Sequence, residues 1–239
     1  MLHEGPGVRV VFPVGKTAYR EAIVDTKTVG MSEAWWWFVG GWRLYKLAPW
    51  RWLIATLLWT IIAVGLVLLF SFAGAFLSIL LFPIVYAGFL QGASELQRGG
   101  ELTIRHVFRG LTTRSKILPL LFLGLLPIGF ALASLTFLIL LGGTFMPGLL
   151  VVTTLGIPTS IAFLYACPLV MFAGVGPIRA IKSSYDACAK NIGASFIVIL
   201  ALLFMAMATV FTFGLGLFLA MPVGFCALYL SYTSIYGQS

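Results

Sequence analysis

The side chains that could act as acids, bases or metal ligands are few in this sequence, and they lie far apart. The acids and histidines are Glu4, Glu21, Asp25, Glu33, Glu95, Glu101, Asp186, His3 and His106. No pair of them has the spacing of a metal site or a catalytic triad, both of which need convergent groups. The sequence therefore predicts a protein that is not an enzyme and that uses no metal and no cofactor.

The cysteines offer no alternative chemistry. Cys167, Cys188 and Cys226 are odd in number and widely spaced, which fits neither a disulfide framework nor a metal site. We expect all three to be reduced packing residues.

The chemistry that the sequence does offer is contact with a membrane surface. Residues 35–52 read WWWFVGGWRLYKLAPWRW and hold six of the seven tryptophans together with three basic residues. Indole rings settle at the depth of the lipid headgroups, and basic side chains beside them can meet lipid phosphates. The predicted lipid-binding or partner-binding residues are Trp35, Trp42, Arg43, Lys46 and Arg51, with Arg105, Arg109, Arg179 and Lys182 around the same rim.

The elements that must position this cluster are apolar helices. The 239 residues are 61% apolar and 9% charged, against about 45–50% and about 25% in soluble proteins. Six apolar runs reach the about 20 residues that cross a hydrocarbon core of about 30 Å. The predicted spans are 52–70, 75–96, 117–141, 149–173, 195–213 and 217–236. We predict an all-α polytopic membrane protein, with residues 1–30 as a cytoplasmic N-terminal arm and 31–239 as a six-span membrane domain.

The distribution of lysine and arginine predicts the orientation. The region through Arg51 holds seven of these residues, the loop after the second span holds five and the loop after the fourth span holds three, which accounts for all 15. The positive-inside rule then places both termini and both long loops in the cytoplasm, in a bacterial inner membrane. The net charge of +8 is thereby explained by orientation and anionic lipid headgroups, and nucleic acid is not expected as a partner.

An interfacial helix is predicted before each pair of spans. The first runs from Ser32, as N-cap, towards Pro49, and the second covers residues 104–111. The third starts at Gly176 and Pro177, and its apolar side is formed by Ile178, Ile181, Tyr185 and Cys188. Because each such helix would lie along the membrane plane ahead of two spans, the pattern predicts three helical hairpins related by a pseudo-threefold axis.

Three motifs resemble a known family. Residues 37–49, read as WFVGGWRLYKLAP, resemble the GW-x-L-F-K-x-x-P signature of the BPSS-type proteins, an uncharacterised family of six-span bacterial inner-membrane proteins. Residues 180–191 are similar to the S-F-x-A-C-x-x-N loop of that family, and residues 228–236 resemble its closing L-Y-x-S-Y-x-x-I-F. Tyr45 and Tyr185 stand where phenylalanine is usual. The resemblance implies a six-helix inner-membrane protein and carries no catalytic role.

Two functions remain open at this point. We expect a non-catalytic inner-membrane protein that binds anionic lipid at its cytoplasmic rim and serves as an accessory or scaffold subunit, with a protein partner or a second copy of itself. The alternative is a transporter or lipid-handling channel, which would require a continuous polar or lipid-sized cavity between the hairpins.

Overall fold

The structure is a computed structural model that describes residues 26–107, 113–140, 142 and 145–237. Three predictions fall wholly or partly outside these residues. They concern the N-terminal arm up to residue 25, the second half of the predicted interfacial helix 104–111, and Arg109.

All regular structure in the described ranges is helical, which confirms the all-α prediction. The helices are α1 (Met31–Leu47), α2 (Pro49–Gln97), α3 (Ile104–Val107), α4 (Arg114–Leu140), α5 (Phe145–Pro168), α6 (Pro177–Lys190), α7 (Ile192–Phe211) and α8 (Leu217–Tyr236), and a π-helical turn, Leu169–Ala173, directly follows α5. Five segments are long and apolar enough to cross a membrane, namely Pro49–Gln97, Ser115–Leu140, Gly156–Ala173, Ile192–Phe211 and Leu217–Tyr236. The chain is therefore a helical membrane protein.

Helix α2 folds back on itself at Ser71. This residue has φ 51° and ψ −123°, far from helical values, and it lies inside the connection predicted at residues 71–74. Across the break, the Ser78 hydroxyl donates a hydrogen bond to the carbonyl of Ala63 at 3.4 Å. Gly74 approaches so closely that an added Cβ would lie 1.9 Å from the carbonyl oxygen of Leu66. Only glycine permits this contact between the two halves.

The chain enters α1 at a different residue from the one predicted. The helix begins at Met31 with Gly30 as N-cap, and the cap makes no side-chain hydrogen bond. Ser32 is therefore wrong as the predicted cap, because it lies within the first turn. The entry is set by tertiary contacts before the helix, where the Lys27 amide donates to the carbonyl of Ile235 at 2.8 Å.

The helices that carry the spans begin somewhat earlier than predicted from hydropathy. Helix α4 begins at Arg114 and α7 at Ile192, whereas the apolar runs were predicted to start at residues 117 and 195. Hydropathy locates the apolar part of a helix, but the i to i−4 hydrogen bonds continue into the polar flank. The Asn191 carbonyl illustrates this, because it accepts from the Ser195 amide at 2.8 Å.

An aromatic cluster lies between α2, α5 and α8. Tyr86 and Phe225 have ring centroids 4.8 Å apart, and Phe163 stacks on Tyr86 at 5.7 Å. Phe82 lies against all three of these rings at 6.2 to 6.4 Å. Such offset and tilted pairs add to the gain from burial, so the cluster ties three spans together.

The end of α5 departs from a regular helix. Pro168 closes the helix, and the π-helical turn that follows ends at Gly174, whose φ of 64° is in the left-handed region that suits glycine. The ammonium group of Lys116, near the start of α4, donates to the carbonyl of Met171 in this turn. A basic side chain from α4 is thus hydrogen-bonded to a backbone carbonyl of the π-helical turn.

Helix α6 packs against the bundle through small residues, and part of its predicted apolar side is exposed. Its buried residues are Ala180, Ser183, Ser184, Ala187 and Cys188, whereas Ile178 and Tyr185 are 62% and 39% exposed. Of the predicted apolar side, Cys188 is buried and Ile181 is half-buried, so the rest of that side lies outside the packed bundle. Its predicted start was confirmed, with Gly176 as N-cap and Pro177 in the first turn.

The close approach of α6 to α5 explains why small residues face inward. The Ser184 hydroxyl donates to the carbonyl of Ile161 at 2.6 Å and accepts from the amide of Tyr165 at 3.1 Å. One side chain therefore joins two backbone groups that are four residues apart on the neighbouring helix. A large apolar residue at this position could not reach between them.

Candidate lipid-binding surface

Helix α1 has one face against the bundle and one face open. Ala34, Trp37, Gly41 and Leu44 are buried. On the other face, Trp35 is 66% and Trp42 is 42% exposed. The two tryptophans predicted to meet lipid therefore lie on the open face of the helix.

The buried face of α1 is held against α8 at backbone distance. A Cβ added at Gly41 would lie 2.8 Å from the amide nitrogen of Ala227 and 2.9 Å from the carbonyl oxygen of Val223. The Trp37 indole donates to the Ser234 hydroxyl at 3.1 Å further along α8. These contacts keep the open face of α1 at a constant position on the bundle.

The C-terminal half of α1 presents aromatic and basic groups together. Trp42 and Tyr45 stack with centroids 5.4 Å apart, and the side chains of Arg43 and Lys46 are exposed. An exposed indole beside two exposed cations suits the phosphate of an anionic lipid. We call Trp42, Arg43 and Lys46 the α1 cluster.

Not all tryptophans in the predicted stretch are available to lipid. Trp50 is 74% exposed, whereas Trp37 is 4% exposed and Trp52 is fully buried. Trp52 stacks on Phe89 at 5.5 Å and thus joins the two halves of α2. Composition alone could not separate these two groups, since the same residue type serves both.

Arg51 has a protein partner that the sequence analysis missed. Its guanidinium lies 3.0 Å from the Glu101 carboxylate and donates to the Leu102 carbonyl at 3.1 Å. Arg51 thereby links the start of α2 to the segment that follows its end. The two residues are 50 positions apart in the sequence, so no local pattern signals the pair.

A groove opens beside this ion pair. Its volume is about 520 Å³, and it is lined by Leu47, Ala48, Pro49, Trp50, Arg51, Leu96, Gly99, Gly100 and Glu101. We call it the Arg51 groove. It combines an exposed indole with a guanidinium whose side chain is still 47% exposed, so it could take a lipid headgroup next to the α1 cluster.

A second groove lies near the start of α1. Its volume is about 370 Å³, and it is lined by Glu33, Trp36, Trp37, Gln97, Leu230, Thr233 and Ser234. We call it the Glu33 groove. The sequence analysis did not single out Glu33 or Gln97 as binding residues, because their convergence depends on the packing of α1, α2 and α8.

The remaining predicted rim residues lie on other helices. Arg105 is exposed on α3, and Arg179 and Lys182 are exposed on α6. The end of α6 meets the start of α1 through Asn191, whose side-chain oxygen accepts from the Val29 amide at 2.7 Å. The helices that carry Arg179, Lys182 and the α1 cluster are therefore joined at one end of the bundle.

The Cys188 thiol of α6 is buried, whereas the Tyr185 phenol is 39% exposed. Burial raises the pKa of the Cys188 thiol above its ordinary value of 9.0, and the opposing effect of the nearby Ser195 hydroxyl is smaller. Burial, followed by the nearby Cys188, raises the pKa of Tyr185, whose hydroxyl donates to the Pro158 carbonyl at 2.7 Å. Across the described residues, no three of the His, Cys, Asp and Glu side chains group together as a metal site.

Comparison of the chain with protein-family models, with curated proteins and with solved structures finds no match.

Proposed function

We propose that this protein is a non-catalytic inner-membrane protein that binds anionic lipid at its cytoplasmic rim and acts as an accessory or scaffold subunit of a membrane assembly, with a protein partner or a second copy. The observation that carries the proposal is the α1 cluster, where Trp42 is exposed beside the exposed cations of Arg43 and Lys46. Trp35 on the same open face and Arg51 beside its groove extend this surface.

The proposed topology has six spans in three hairpins, with both termini in the cytoplasm. It is supported by the break at Ser71, which divides α2 into two halves that pack together. The predicted connections at residues 71–74, 142–148 and 214–216 contain no charged residue. All lysines and arginines fall on the other side of such hairpins, which is the side that the positive-inside rule assigns to the cytoplasm.

The close packing of α1 against α8 favours a binding role for the α1 cluster. Gly41 holds α1 against α8, so the cluster needs little ordering when lipid arrives. Each cation near an anionic membrane surface contributes about 1 kcal/mol. Two such cations beside an interfacial indole are enough to enrich anionic lipid over zwitterionic lipid.

The alternative of a transporter or lipid-handling channel needs a continuous cavity through the bundle. The aromatic cluster around Tyr86 and Phe82 occupies the interior between three spans instead, which favours the accessory role. Substrate or lipid flux into vesicles that contain the purified full chain would contradict the accessory role.

The experiment that tests the proposal is lipid retention by the full chain, measured by native mass spectrometry with added phosphatidylglycerol. The double substitution Arg43→Gln and Lys46→Gln should weaken retention about 30-fold, because it removes two contributions of about 1 kcal/mol. Arg51 is left unchanged here, since its substitution would also break the ion pair with Glu101.

A matched control is Lys190→Gln, which removes one exposed cation outside the predicted residues. Its effect should not exceed about fivefold, the value expected for one cation. Unchanged retention by the double variant would refute the proposal. An equal loss in the control would show that net charge, and not the α1 cluster, determines binding.

A further inference from the structure

The Glu33 groove differs in charge from the surface proposed to bind anionic lipid. Its one ionisable lining residue is Glu33, in a chain whose net charge is +8. The Arg51–Glu101 ion pair lies elsewhere. Within the described part of the chain, no cation is paired with the Glu33 carboxylate, so its charge is available to a ligand.

The spacing of the groove residues on α1 brings an acid and indole rings to one side. Glu33, Trp36 and Trp37 stand at i, i+3 and i+4, so they are neighbours on the helix surface. Trp36 is 62% exposed, which leaves its ring accessible. A cation near the face of an indole and within reach of a carboxylate gains from both groups.

The other polar lining groups add hydrogen-bond acceptors. Thr233 already donates its hydroxyl hydrogen to the Leu230 carbonyl at 2.9 Å, so its oxygen lone pairs remain for a donor in the groove. Ser234 accepts from the Trp37 indole at 3.1 Å, which uses the hydrogen of that indole nitrogen. The groove therefore suits a ligand that is positively charged and donates hydrogen bonds.

We propose that the Glu33 groove binds the primary ammonium headgroup of a zwitterionic aminophospholipid, phosphatidylethanolamine. The groove adjoins the open face of α1, where Trp35 and Trp36 are exposed at the predicted headgroup depth. Arg98, the next residue after Gln97, is an exposed cation at the C-terminal end of α2. The site goes beyond the proposed anionic-lipid surface, because it uses an acid where that surface uses bases.

The test uses the full chain, reconstituted in vesicles of phosphatidylethanolamine and phosphatidylglycerol in equal parts and then extracted for native mass spectrometry. The wild type should retain phosphatidylethanolamine. Glu33→Gln and Trp36→Leu should each lower that retention about two- to fivefold and leave retention of phosphatidylglycerol unchanged. The double variant Arg43→Gln with Lys46→Gln should lower retention of phosphatidylglycerol and leave retention of phosphatidylethanolamine unchanged. Failure of either proposal is therefore distinguishable from failure of the other.

Two exposed residues outside the groove provide matched controls. Phe196→Leu removes an exposed aromatic ring on α7, and Asp186→Asn removes an exposed acid on α6; both should leave retention of phosphatidylethanolamine unchanged. An equal loss in Phe196→Leu and Trp36→Leu would overturn the proposal, because the effect would then be general to exposed aromatic side chains. Retention that is unaffected by Glu33→Gln and Trp36→Leu would also overturn it.

A final arm distinguishes the lipid from a soluble amine. O-phosphoethanolamine, which has the same headgroup without acyl chains, is added to the detergent-purified chain. Weak or absent binding of this probe supports the lipid as ligand, since the acyl chains then contribute to affinity. Binding as strong as that of the lipid would overturn the assignment to a membrane lipid.

Discussion

The Tyr86 hydroxyl donates a hydrogen bond to the carbonyl oxygen of Leu164 at 2.7 Å, in the buried centre of the bundle. Pro168 is four residues after Leu164, at the position whose amide would normally donate to that carbonyl, and proline has no amide hydrogen. A backbone acceptor without a partner is costly where water is absent. The α2 tyrosine therefore supplies the hydrogen bond that the α5 proline cannot, which explains how this proline is accommodated.

Tyr86→Phe should lower stability. The substitution keeps the ring in the aromatic cluster but removes the donor to Leu164, and an unsatisfied buried acceptor costs about 1–3 kcal/mol. Thermal unfolding in detergent measures the effect. Tyr229→Phe is the control, since its hydroxyl makes a longer hydrogen bond of 3.3 Å to the Ser94 side chain. A larger loss in Tyr229→Phe than in Tyr86→Phe would contradict this role.

Gly41→Ala should detach or shift α1, whereas Gly40→Ala should be tolerated. A Cβ at Gly41 meets backbone atoms of α8 at 2.8 and 2.9 Å, but a Cβ at Gly40 meets only the end of the Leu230 side chain, at 2.6 Å. Overpacking against a rigid backbone costs about 1–3 kcal/mol, whereas a flexible side chain can move aside. Comparison of the unfolding temperatures of the two variants checks this. Equal temperatures would show that α1 is not held at this point.

Asn191→Ala should release the segment that leads into α1. The buried amide of Asn191 accepts from the Val29 backbone at 2.7 Å and donates to the Lys27 carbonyl at 3.0 Å. Without these bonds, hydrogen exchange of the Val29 amide should become faster while the interior of α8 stays protected. Asn191→Asp is the matched variant, because it keeps the acceptor for Val29 and loses only the donor. Identical exchange in both variants would contradict the assigned role of the acceptor.

Cys188 should resist modification in the folded protein. Burial raises the pKa of its thiol above 9.0, so at pH 8 the thiolate that reacts with maleimide is scarcer than in the unfolded chain. Because the folded pKa is the higher one, stability from this group is complete below pH 9.0 and is lost as the pH rises further. Labelling should be slow until the protein is unfolded in detergent.

The neighbouring substitution Ala189→Cys provides the comparison for that experiment. Residue 189 is exposed on α6, so the added thiol should react quickly under the same conditions. If the wild-type chain were labelled as fast as the Ala189→Cys chain, the packing of Cys188 against the bundle would be wrong.

The sequence by itself determined where most of the helices lie. The apolar run at 217–236 coincides with α8, and the break at Ser71 falls in the connection predicted from composition. These features are local, because the helix needs only its own backbone hydrogen bonds and an apolar composition to be stable in lipid. The open face of α1 could be predicted in part, since Trp35 and Trp42 do face outward.

Only the tertiary structure decided which side chains of residues 33–52 are open at the surface and which are buried or paired. Trp52 is inside the bundle, Arg51 is paired with Glu101, and Glu33 shares a groove with Gln97 from another helix. Each of these relations joins positions about 40 to 65 residues apart by way of a fold-back and a helix crossing. Periodicity in one segment carries no information about the surface that the segment will meet. Residues of the same type therefore become paired, buried or exposed only when the helices pack.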